Sequence, residues 1–162
     1  MYDPMPLFKA FEASQVGTAI SRSIWVFPAI EMFHLFGIVA LVGATSILDL
    51  RLMGLMLREE PVTEMAQATL RWAWIGATIM IVTGSLMFVS EATKCYTSYA
   101  FRVKMVMMVL AGANALIFHT FSYRSVSRWE TGGTPLSAKL AGAFSLLLWF
   151  GIVGAGRWIA FA

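Results

Sequence analysis

The chain has 162 residues, 59% of them hydrophobic and 13% charged, with a formal net charge of +3. A soluble domain is about a quarter charged, so this scarcity, with a mean hydropathy of +0.73, excludes a disordered chain and leaves an integral membrane protein of one domain. Cys95 is the single cysteine, which excludes a disulfide scaffold, and the basic pI arises without a basic run, which argues against nucleic acid as a partner.

Residues 1–23 place Pro4 and Pro6 before Leu7, Phe8, Phe11 and Val16, with Lys9, Glu12 and Gln15 interleaved. This pattern predicts an amphipathic segment at the membrane interface. Four apolar runs follow, each close to the twenty residues that cross a hydrocarbon core of about 30 Å. They cover residues 24–48, 72–90, 105–123 and 140–160. None alternates with period two, so the expected fold is all-α, an integral membrane four-helix bundle. Four spans put both termini on one side, called side A here, and the opposite side is side B.

Within the first run, Pro28 is expected to kink the helix near side A. Residues 62–71 are expected to extend the second helix beyond the bilayer. The stretch 129–137, with Gly132, Gly133 and Pro135, predicts a turn, with Ser137 as cap of the fourth helix. Lysine and arginine divide six to each side, so the positive-inside rule leaves the orientation undetermined.

Ionisable groups inside spans are costly and mark function by default. His34 lies in the first span with Glu31 one turn towards side A, His119 in the third, and Arg157 in the fourth. An intramembrane imidazole serves as a metal or haem ligand, a proton relay or an interhelical hydrogen-bonding group. Two histidines on different helices of a four-helix bundle are a known way to hold a porphyrin. Gly112 and Ala115 share a face with His119, and Gly37 with His34, leaving room for a flat ring or for close helix packing. Depth speaks against one shared haem. With span centres near residues 36 and 114, His34 is near the midplane and His119 about 8 Å from it. Either tilt, the Pro28 kink or shifted span ends close that gap, or each histidine has its own site, or one haem has His and Met ligands. Arg157, Lys104 and Arg102 are candidates for the carboxylates of a haem or for an acidic lipid headgroup. The eleven methionines do not cluster as a copper site would need, and Trp149, deep in the fourth span, suits packing or stacking on a ring.

Three stretches carry a resemblance: HLFGIVALVGATSILDLRLMGL from His34, FRVKMVMMVLAGANALIFH ending at His119, and SLLLWFGIVGAGRWIAF containing Arg157. They resemble a bacterial family of uncharacterised four-span membrane proteins, over nearly the whole chain. They are distantly similar to the copper-resistance D (CopD) membrane domain and to the HemJ-type membrane proteins, which bind haem b. In the latter comparison His34 with Leu50-Arg51-Leu52, and Lys104 with His119, look like the matching positions, and the similarity implies haem handling.

The leading expectation is a b-type haem protein of the bacterial inner membrane engaged in electron transfer. Its haem ligands would be His34 and His119, Arg157 and Lys104 would hold propionates, and a quinone or a redox protein would be the partner. A second is a copper-handling module using His34, His119 and Glu31. A third is a structural subunit without cofactor that forms a homo-oligomer through small-residue faces such as Gly151/Ala155 and Ala111/Ala115.

Overall fold

The computed structural model describes residues 4–129 and 133–159, and its regular elements are all helical. Two short helices, α1 (Met5–Glu12) and α2 (Gln15–Arg22), precede the long helix α3 (Val26–Met53). Then come α4 (Val62–Ser90), the short α5 (Ala92–Thr97) and α6 (Tyr99–Ile117). Helix α6 runs on through a π turn (Phe118–Ser122) and a 3-10 turn (Tyr123–Ser125) into α7 (Val126–Trp129), and α8 (Leu136–Ile159) ends the described chain. Four continuous helical stretches, Val26–Met53, Val62–Ser90, Tyr99–Trp129 and Leu136–Ile159, are long and apolar enough to span a bilayer. The protein is a multi-pass helical membrane bundle.

Helix ends are set by backbone chemistry rather than by the edge of the lipid. Gly54 closes α3 in the left-handed region at φ 73°, donating to Arg51 O while Leu55 N–H reaches back to Leu50 O. The helix thus outlasts its apolar run. Helix α4 starts directly after Pro61, so residues 62–71 do extend the second span. Pro28 falls in the first turn of α3, where a missing N–H removes no helical bond, so the expected kink has no cause. Helix α8 begins one residue before Ser137. Pro135 O accepts from Ala138 and Lys139 N–H, so Pro135, not Ser137, holds the cap position. Residues 130–132 of the expected turn, 1–3 of the N-terminal segment and 160 of the fourth run lie outside the described residues.

The bundle is built from two helix pairs. In the first, α3 crosses α4 at Gly37 and Gly76. A Cβ on Gly76 would stand 2.8 Å from Gly37 O and 2.9 Å from Leu41 Cα, so only hydrogen fits there. In the second, α6 packs on α8 through Ala111, Leu148 and Ile152, and Met107 Sδ lies where a Cβ on Gly151 would be, 2.8 Å away. Asn114 Nδ2 donates to Ala141 O at 3.0 Å and pins the same pair. Ala111 and Gly151, two residues of the expected oligomer faces, are therefore used within the chain.

The pairs meet where α3 crosses α8. A Cβ on Gly142 would lie 2.9 Å from Asp49 O, and Leu52, Val62, Phe118, Val126 and Ala138 form an apolar core at that side B end. Towards side A the pairs diverge, and among the described residues α4 makes no extended contact with α6. Helices α1 and α2 fold over that end. Phe8 stacks on Tyr96 at 4.5 Å, and the Glu12 carboxylate accepts from Thr93 N–H and Oγ1 at 2.8 and 2.9 Å. Leu7, Phe11 and Val16 stay exposed on the outer face, as an interfacial segment requires.

Candidate functional site

The divergence of the two pairs leaves a cleft of about 440 Å³. One wall is a single stripe of α3, with Glu31, His34, Ile38 and Val42 at helical spacing. Helix α4 adds Met80, Gly84 and Met87, and α5 adds Lys94 and Cys95. The facing wall is formed by Phe101 and Lys104 of α6 with Trp149, Ile152, Gly156 and Arg157 of α8. The side A end is polar and the deep end apolar. An amphipathic ligand with an anionic head matches that gradient.

His34 is held in one orientation. Its Nδ1 lies 2.8 Å from Thr83 Oγ1, and that hydroxyl donates its hydrogen to Ile79 O at 2.6 Å. A hydroxyl has one hydrogen, so Thr83 accepts from Nδ1–H. In the neutral imidazole this arrangement puts the hydrogen on Nδ1 and leaves the lone pair on Nε2, the state a metal ligand needs. Gly84 makes room for the ring, since a Cβ there would stand 3.4 Å from His34 Cε1. Across the cleft, the Lys104 side chain lies over Gly156, whose absent Cβ would be 3.4 Å from Nζ. Trp149 lines the cleft and also packs on the Ala111, Leu148 and Ile152 core, so packing and ring-facing roles coincide.

His34, Lys104, Arg157 and Glu31 are thus gathered in one cleft, whereas His119 stands apart. His34 is about 12 Å along α3 from its side A end, and His119 about 30 Å along its own helix. His119 sits in the π turn, exposed, with its ring edge-on to Phe118 and Tyr123 at 5.7 and 5.2 Å. Its helix packs on α8, and the extra residue of the π turn rotates the chain below it. Counted along the helices the two histidines stay at different depths, and His119 does not line the cleft that holds His34. Among the described residues no three His, Cys, Asp or Glu side chains converge as metal ligands.

Thr83 and Gly84 are cleft residues that the sequence reading passed over, because the second span carries no ionisable group. The available signal was a polar residue beside a glycine in an apolar run, at a depth where a histidine on the neighbouring helix needs a partner. Cys95, at the cleft mouth outside the spans, has its thiol pushed above its ordinary pKa by burial, with the Glu91 carboxylate adding to the effect.

No curated protein and no solved structure compared with the chain gives a significant match. A family model does match, over residues 11–162, which takes in all four spans and every residue of the cleft. The chain belongs to DUF6644, a family of unknown function.

Proposed function

We propose that this protein is a b-type haem protein of the bacterial inner membrane, working in electron transfer, with the haem in the side A cleft. The observation that carries the reading is His34. Thr83 fixes its tautomer, and its remaining lone pair belongs to a ring that lines a cleft with two cations on the far wall. Lys104 and Arg157 suit two propionates at the polar end, and Trp149, Ile38 and Val42 suit the ring at the apolar end. Bound haem supplies one-electron redox chemistry. The chain's own residues orient the ligand through Thr83, neutralise the anionic edge and exclude water along the apolar walls. Met80 and Met87 are thioethers in the same cleft, which keeps a His and Met pair open, and a quinone or a redox protein is the partner class. His119 is left outside this site.

The test is an absorption spectrum of the purified protein before and after dithionite reduction. The expected result is a Soret band and reduction-sensitive visible bands, both lost in His34→Ala and kept in His119→Ala. A wild-type protein that remains colourless after haem is supplied overturns the reading.

A further inference from the structure

We propose that Asp49 is a proton-binding site inside the bundle, holding its proton against Ser145 where the two helix pairs cross. Asp49 ends the apolar run of the first span and reads, in the sequence, as a border charge. In the fold it is 6% exposed, as buried as Phe118 of the apolar core at that end. Its Oδ2 has no hydrogen-bond partner, and the Ser145 hydroxyl of α8 is the side chain that hydrogen-bonds the carboxyl group. The α8 backbone lies directly over it, because Gly142 has no Cβ to keep it away.

Among the described residues the charged groups on the packed elements leave it without a counter-ion. Arg51, on the same helix, directs Nε to Glu60 O at 2.7 Å. Glu64 and Arg71 of α4, Lys139 of α8, His119 of the π turn, Arg124 of the 3-10 turn and Arg128 of α7 are all exposed. The core at this end is Leu52, Val62, Phe118, Val126 and Ala138. An ionised carboxylate with an open oxygen and no cation is the least favourable occupant of such a place. The Ser145 hydroxyl can donate to the ionised carboxyl group and can accept from the O–H of the neutral one, so burial without a counter-ion, and not Ser145, is what favours the acid. Binding converts the carboxylate and one proton into the acid, with no other reactant. Losing that proton would put an uncompensated charge into the contact between α3 and α8, so the site ties the closure of the two pairs to proton occupancy. Asp49 does not line the cleft, and this inference stands apart from the haem reading.

Infrared spectroscopy of the full chain at neutral pH tests it, in a Glu31→Gln, Glu91→Gln background that removes both carboxyl groups lining the cleft. The expected result is the carbonyl stretch of a protonated carboxylic acid, moved down in heavy water, lost in Asp49→Asn and moved up in Ser145→Ala. If Asp49→Asn does not fold, the shift in Ser145→Ala still assigns the band. Absence of the band at neutral pH overturns the proposal. So does a band that survives Asp49→Asn, one that Ser145→Ala leaves in place, or one that appears only when sodium is removed, which would make the site a cation site.

Discussion

The two ends of the bundle are made from the same four helices, and the glycines where the helix pairs face each other do different things at each end. At side B, Gly142 draws α8 onto Asp49 and the walls close into an apolar core. At side A, Gly84 and Gly156 face side chains instead of backbone, and the space they leave is filled by the His34 ring and the Lys104 stem. A glycine against backbone fixes the distance between helices, and a glycine against a polar side chain makes a place for that side chain. The closed end holds the fold and the open end has room for a ligand.

The largest effect is expected where backbone meets backbone. Gly76→Val would drive α3 and α4 apart and cost about 3 kcal/mol, at the upper end of the overpacking range, read as loss of thermal stability in detergent. Gly43→Ala, on the same helix pair with nothing within 4 Å, should change stability by less than about 0.5 kcal/mol. Equal effects would erase the distinction between the two kinds of glycine. Next in size, Thr83→Val removes the acceptor for His34 Nδ1–H and should weaken haem binding about 10- to 100-fold with little change in fold. A titration of apoprotein with haem reads this, and unchanged affinity would separate Thr83 from any ligand function.

The smallest effect belongs to the mouth of the cleft. Burial and Glu91 favour the neutral Cys95 thiol, so its maleimide reaction at neutral pH should be slower than that of a free thiol and its rate profile displaced to higher pH. The folded thiol ionises above the unfolded one. Its stabilising contribution is therefore whole below the unfolded pKa and is lost as pH rises through the folded one. An ordinary pH profile would mean that the mouth is open to water.

The four spans were legible because a bilayer demands long apolar runs and tolerates little else. Their ends were less so: α3 runs on to Met53 and α4 starts at Val62 because Gly54 and Pro61 place those ends, with no reference to lipid. His34, Lys104 and Arg157 could be picked out because charge is rare in such a chain, and depth arithmetic raised an objection to His119 as a shared ligand without deciding it. Thr83 is neutral and its role exists only through a residue 49 positions away, so no local pattern announces it. Asp49 is ambiguous in the sequence because a charge at the end of an apolar run has two meanings, a solvated border or a buried group, and only packing across α8 separates them.

The Glu12 carboxylate has a consequence for biosynthesis. Its partner Thr93 lies 81 residues later, beyond two complete spans. The N-terminal helices must therefore wait at the membrane surface while α3 and α4 are made and inserted, and the corner beside the cleft can be fastened only when α5 emerges. A fusion or truncation that displaces Glu12 would act on the last step of assembly and leave insertion of the first two spans untouched.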